Sequence, residues 1–316
     1  MFTTKVDIPS SPLQITYNDK LMTLGSCFAE NIGNKLSNAF FQININPFGV
    51  LYNPLSVCNS LRTLSQEHTF TVDEIFEHQS LWSSFSHSSL FSGISQEECL
   101  SKINQSTVQA NSFLKDTRFL LITLGTAWIF EEIESRNVVA NCHKLPANCF
   151  NRRRLSVEEV VYEFTDILTS LKSKNNTLEV IFTVSPIRHW KDGAHENNVS
   201  KAVLHLAIDK LRKNLSFVHY FPAFEIQMDE LRDYRFYTSD MLHPSETAVD
   251  YIWQRFSETY FDKNTLQLKK ELEQFRADLN HRPLHSNSAE YQLFIQNTEK
   301  RKAKLLERYP PLGNLL

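Results

Sequence analysis

Five short, almost wholly apolar runs set the strongest constraint on how this chain can fold: residues 21–24, 43–45, 119–124, 180–184 and 217–221. Runs this brief and this continuous suit strands covered on both faces, the environment of a parallel sheet. Segments with helical spacing lie between most of them. Val157, Val160, Val161, Phe164, Ile167, Leu168 and Leu171 repeat in that way between the third and fourth runs. Val199, Ala202, Val203, Leu206 and Leu211 do so between the fourth and fifth. This alternation predicts a doubly wound, three-layer α/β/α sandwich.

A chain of 316 residues, 41% of them hydrophobic, can bury one large core and carry appended helices. The expected division is an α/β domain over residues 1–262 and a helical extension over 263–316. Residues 53–118 connect two strands over more chain than a crossover needs. Helices are predicted near 54–64 and 96–114, with an insertion at about 65–118. Its Ser-, His- and aromatic-rich centre, 79–93, is either a pocket wall or a surface excursion packed by Trp82, Phe85 and Phe91. In the extension Leu268, Leu272, Phe275 and Leu279 form one apolar stripe, Arg282-Pro283 marks a break, and a second helix is expected over 288–308. Both helices are expected to lie against the main domain or against a second copy of the chain.

A formal charge of −3 supplies no broad basic field, so neither nucleic acid nor a membrane surface is an expected partner. Arg152-Arg153-Arg154 reads as a solvated loop or a helix lead-in. The five cysteines are odd in number and form no CxxC, which argues against a disulfide framework or a structural zinc site. The N-terminus lacks the apolar stretch of a signal peptide, and no run approaches the ~18 apolar residues of a membrane span. A cytoplasmic location is the expectation. Without a P-loop, a GxGxxG or a His/Cys cluster, no metal or cofactor is expected.

In a doubly wound sheet, sites form beyond the carboxyl ends of the strands. Three of the seven glycines (Gly25, Gly49 and Gly125) fall there, where close backbone approach to a ligand would use them. Gly25-Ser26-Cys27 follows the first strand and leads into a helix marked by Phe28, Ile32 and Leu36. Ser26 or Cys27 would then sit at a helix N-terminus, where free N–H groups lower a thiol's pKa and stabilise an oxyanion. The competing role for Ser26 is a helix cap, with Cys27 buried. Asp240-x-x-His243 follows the last strand. The carboxylate can orient the imidazole, whose other nitrogen can take a nucleophile's proton. Pro244 suits the first position of the next helix, whose apolar face is Ala248, Tyr251, Ile252 and Phe256. Arg188 and His189 follow the fourth strand. They would bind an anionic or hydroxylated substrate, or pair with carboxylates such as Asp192 or Glu196. His87 reads as a surface residue, with a substrate contact as the weaker alternative.

With those residues in place, the chain resembles the GSCFA family, a branch of the SGNH/GDSL hydrolase superfamily. Leu24-Gly25-Ser26-Cys27-Phe28-Ala29 carries the naming motif, and the blocks at 46–54, 124–128, 185–193 and 229–245 are similar to that family's. The resemblance implies a five-stranded parallel sheet of order 2-1-3-4-5. It implies a nucleophile on the turn after the first strand, Asp240 and His243 as its partners, and an oxyanion hole from the Gly49 N–H and Thr126. Trp128, in the block Leu124-Gly125-Thr126-Ala127-Trp128, joins Arg188, His189 and His87 as a candidate substrate contact.

Superfamily members read Gly-Asp-Ser. Register here puts Cys27 at the serine's place and Ser26 at the aspartate's, so Cys27 is favoured as nucleophile with Ser26 kept as the alternative. A threonine also replaces the usual oxyanion asparagine. The expected activity is hydrolysis or transfer of a small acyl group on a polar, carbohydrate-like substrate. The competing readings are a silent binding module that keeps the pocket, and a scaffold that assembles through its C-terminal helices.

Overall fold

Every one of the five apolar runs becomes a strand of one parallel sheet in the computed structural model, which describes residues 4–9, 11–281 and 288–314. The first half of the chain forms β1 (Lys20–Gly25), α1 (Cys27–Asn38), β2 (Gln42–Ile45), α2 (Pro54–Ser65), β3 (Phe76–His78), β4 (Leu81–Ser83), α3 (Gln96–Lys115) and β5 (Thr117–Leu124). Then come β6 (Trp128–Glu132), β7 (Val138–Val139), β8 (Phe150–Arg154), α4 (Val157–Lys174), β9 (Glu179–Val184), α5 (Gly193–Asn214) and β10 (Val218–Tyr220). A short α6 (Ala223–Glu225), α7 (Glu246–Tyr260), α8 (Lys263–Leu279) and α9 (Ala289–Arg308) complete the chain.

The central sheet runs β2-β1-β5-β9-β10, with every neighbouring pair parallel. That is the expected order 2-1-3-4-5. Alternate residues of β5 point to opposite layers, as strand geometry requires. Leu120, Ile122 and Leu124 pack with α2, α3, α4 and α5, whereas Phe119 and Leu121 pack with α1, α7 and α8. The three-layer sandwich therefore has two cores, one on each face of the sheet. Among the described residues no helix is long and apolar enough to cross a membrane.

The insertion contains the antiparallel β3–β4 hairpin, and hydrogen bonds in both directions between Trp82 of β4 and Gly93 tie the chain that follows back to it. Its aromatic residues pack on one another: Phe76 stacks on Phe85 at 4.2 Å between ring centroids. His87 departs from the expectation of a surface residue. It is only 1% exposed, caged by Phe48, Phe70 and Phe91, because an imidazole is flat enough to stack in an aromatic core.

A second excursion was not foreseen. Strands β6, β7 and β8 form a small antiparallel sheet between β5 and α4. The triplet Arg152-Arg153-Arg154 lies within β8 rather than in a loop. Its charges are held by Asp192, by Glu131 and Glu159, and by Glu196 respectively. Arg152 and Arg154 also lie over the ring of Trp128, at 4.2 and 5.6 Å from its centroid. Partner carboxylates and an aromatic face let this charged segment pair as a strand.

The extension lies on the main domain. Leu268, Leu272 and Phe275 are buried in the α1–α7 core, whereas Leu279, the fourth residue of the expected stripe, is half exposed. Arg276 stacks over Phe40 and bonds Asn38 and Ser37. The expected break at Arg282-Pro283 lies outside the described residues.

Candidate active site

The elbow after β1 is fixed by backbone sterics. Gly25 has φ +132°, and a Cβ there would lie 2.1 Å from the Thr123 carbonyl oxygen on the neighbouring strand. Only glycine allows this approach. It lets the Ser26 N–H donate to that same carbonyl at 3.0 Å, which turns the chain sharply into α1. Ser26 is 1% exposed and caps α1, its hydroxyl accepting from the Phe28 N–H at 3.3 Å. Cys27, the first helical residue, is half-buried and carries a free thiol.

The thiol's pKa is raised, not lowered as its helix position predicts. Burial is the largest cause; the N–H groups of Cys27 and Phe28 and the charge of Lys201 pull down, and Glu30 pushes up. Desolvation and a carboxylate in the first turn of α1 outweigh the favourable end of the helix.

Asp240 and His243 sit on a loop closed on itself. Thr238 N–H donates to the His243 carbonyl at 2.8 Å and Met241 N–H to the Thr238 carbonyl at 2.9 Å, with Met241 at φ +60° at the tip. One oxygen of Asp240 accepts from the backbone N–H groups of Leu242 and His243 and from the Thr238 hydroxyl, at 2.7–2.9 Å. The other faces His243 Nδ1 at 2.6 Å. These bonds hold the carboxyl far below the usual carboxylate range, the two backbone N–H groups contributing most. Ser245, not Pro244, caps α7, so the proline ends the loop one residue before the cap instead of opening the helix. Proline's fixed φ serves either place; only the Ser245 hydroxyl can accept from Ala248 N–H.

His189, after β9, stands beside the loop that follows β5. Its ring meets the Tyr52 ring edge-on at 5.4 Å and lies against Gly125. Its pKa falls to about 4, chiefly through burial, then through the charge of Lys201 and less through His243. Tyr52 and Lys201 in turn feel Cys27. Lys201 acts on both Cys27 and His189, and His189 feels His243; among the described residues no hydrogen bond joins Ser26 or Cys27 to His243.

Lys201 is the residue that sequence reading missed. It is 2% exposed on α5 and donates to the carbonyls of Gly125 at 2.6 Å and Ser185 at 2.7 Å, tying together the loops after β5 and β9. Burial pushes its pKa down to about 7. The expected α5 stripe was displaced: Leu206 is exposed, and the buried face is Asn197, Ser200, Lys201, Leu204, Ala207, Ile208 and Leu211. Lys201 lies in helical register with that apolar series, a signal that appears once polar residues are allowed on the buried face.

The other expected contacts divide. The Gly49 N–H donates to the Asn46 carbonyl at 2.7 Å, and a Cβ at Gly49 would strike Ser88, so this glycine serves a tight turn under the insertion. Thr126 is buried, its hydroxyl bonded to Ser200 at 3.0 Å and to the Trp128 N–H at 3.1 Å. Both groups assigned to the oxyanion are therefore engaged within the protein. Trp128 is held by Arg152 and Arg154. His87 stands in its aromatic cage, where burial brings its pKa down to about 3. Asp192 and Glu196 pair with Arg152 and Arg154, and the charge of Asp192 also acts on His189, opposing the fall in its pKa.

The model of the GSCFA family matches residues 20–256, three quarters of the chain. The chain belongs to the GSCFA family. Residues 272–315 match the C-terminal domain of GSCFA domain proteins, so α9 and the C-terminal half of α8 are part of the GSCFA architecture. No curated protein matches the chain. Among solved structures, an acetyl xylan esterase from the rumen bacterium Butyrivibrio proteoclasticus is 12% identical, covering 80% of this GSCFA chain and 66% of its own, with a TM-score of 0.40. A family 3 carbohydrate esterase from Clostridium thermocellum is also 12% identical, covering 81% and 98%, with a TM-score of 0.33. Likenesses this distant say nothing of the substrate or catalytic residues of the GSCFA chain.

Proposed function

We propose that this chain hydrolyses or transfers a small acyl group of a polar, carbohydrate-like substrate, with Cys27 as nucleophile, His243 as base and Asp240 as its orienting carboxylate. The observation that carries this reading is the Asp240–His243 pair at 2.6 Å, its carboxylate immobilised by three further donors. A capping aspartate with an unrelated histidine would not need that pairing. Ser26, buried and capping α1, is the poorer nucleophile.

Because its thiol is held protonated, Cys27 needs a base during attack. Its sulfur bonds to the ester carbonyl carbon as the proton passes to His243 Nε2. Collapse breaks the bond to the alcohol oxygen, which takes that proton, and leaves a thioester on Cys27. Water, or the hydroxyl of an acceptor, then attacks the thioester carbonyl as His243 accepts its proton; collapse breaks the carbon–sulfur bond, and that proton returns to the departing Cys27 sulfur.

A second reading, a binding module without turnover, draws support from the internal engagement of the Gly49 N–H and the Thr126 hydroxyl. Nitrophenyl acetate and an acetyl-sugar panel separate the two. The enzyme reading expects turnover that falls at least about a hundredfold in Cys27→Ala and His243→Ala. A thiol-selective probe should label Cys27, and a fluorophosphonate should leave Ser26 unlabelled. Full activity in Cys27→Ala would move the nucleophile to Ser26, and full activity in His243→Ala would dismiss the site. Ligand-dependent thermal stabilisation without turnover of any ester would establish the binding module.

A further inference from the structure

Beside the dyad lies an open groove of about 560 Å³ lined by Arg188, Trp190, Tyr234 and Tyr237, by Arg232 and Asp233, and by Asp240–Leu242. Its rings are turned outward: Trp190 is 52% and Tyr234 75% exposed. Large aromatic faces left in water beside a polar cleft suit the weakly apolar faces of a sugar ring.

Of the carboxylates around this groove, Asp229 pairs with Arg232 and Asp233 with Arg235, while Asp240 is hydrogen-bonded to His243. Asp192 and Glu196 are taken by Arg152 and Arg154. Among the described residues no carboxylate pairs with Arg188, whose single side-chain hydrogen bond goes to the thioether of Met228 at 3.3 Å. A thioether is a weak acceptor, so most of the guanidinium's donors remain unused. A planar, half-buried fork of this kind recognises a carboxylate through two parallel hydrogen bonds.

We propose that this groove is a subsite for an acidic sugar of the uronate type, with its ring against Trp190 and its carboxylate on Arg188. Its place in a substrate rests on the dyad being the reacting centre; its ligand chemistry does not. The sugar would bring an ester on the same or the adjoining residue up to His243.

The test uses full-length Cys27→Ala, which removes turnover as a complication. Trigalacturonate and its fully methyl-esterified form are titrated by calorimetry and by Trp190 fluorescence. The charged trimer should bind at least tenfold more tightly than the neutral one, Arg188→Gln should bring the two within twofold, and Trp190→Ala should weaken both. Thermal melts of both variants establish that they remain folded. Equal affinity for the two trimers, discrimination that survives Arg188→Gln, or displacement of the trimer by equimolar inorganic phosphate would each overturn the proposal. Turnover of an acetylated hexuronate by the unsubstituted protein is scored separately. Its absence alongside intact discrimination would sink the enzyme reading and leave the subsite standing.

Discussion

Replacing Lys201 by methionine removes a buried ammonium while keeping most of the side chain's volume. In the fold its pKa is about 7, against an ordinary value of 10.5, because burial disfavours the charge. Between those values the unfolded chain holds a proton that the folded chain has released, so raising the pH favours the fold. The penalty is full below pH 7 and gone above 10.5. It amounts to roughly 4 kcal/mol at pH 7 and about 2 kcal/mol at pH 9, so about 2 kcal/mol is recovered across that interval. Methionine also strands the carbonyls of Gly125 and Ser185, at a cost of about 1–3 kcal/mol each. That cost does not change with pH and cancels when the two proteins are compared at two pH values. The Cys27 thiol, its pKa raised above the ordinary 9.0, adds little below pH 9. Urea unfolding of both proteins at pH 7 and pH 9 should therefore show the native protein gaining about 2 kcal/mol more than Lys201→Met. Gains that agree within ~0.5 kcal/mol would refute the assignment of Lys201 as a buried, titrating amine.

Gly25→Ala should destabilise the fold by at least about 3 kcal/mol, since it combines a left-handed φ with a Cβ driven into the sheet; a chemical-denaturation midpoint close to that of the unsubstituted chain would contradict this. Ser26→Ala should cost about 1 kcal/mol as a lost helix cap and leave thiol labelling at Cys27 intact, so loss of labelling in a folded variant would count against it. Asp240→Asn should lower kcat on nitrophenyl acetate on the order of a hundredfold or more, because an amide that keeps the backbone N–H bonds turns its own NH2 towards His243 Nδ1 and imposes the wrong tautomer; an unchanged kcat would remove Asp240 from the reaction. Phe275→Ala should cost about 3–5 kcal/mol and expose α8 to limited proteolysis, whereas a digestion pattern like the parent's would show that α8 docks without it.

The five strands and the two helical layers were legible in the amino-acid sequence because strands buried on both faces must be continuously apolar; the strand order followed from the resemblance to the GSCFA family. The elbow and the DxxH loop were legible because chemistry at strand ends needs particular residue types. What stayed hidden was polar and buried. Lys201, Asn197 and Ser200 occupy the inward face of α5, but a search for apolar periodicity passes over them and settles on Leu206, which faces water. The β6–β8 sheet was hidden because its arginines are neutralised by carboxylates distant in the chain. Whether His87 is wet, whether the Gly49 N–H is free, and whether Cys27 is acidic are likewise set by neighbours that only tertiary packing supplies. Local pattern specifies where the backbone goes. Solvation and hydrogen-bond partners, which decide what a side chain can do there, are properties of the assembled fold.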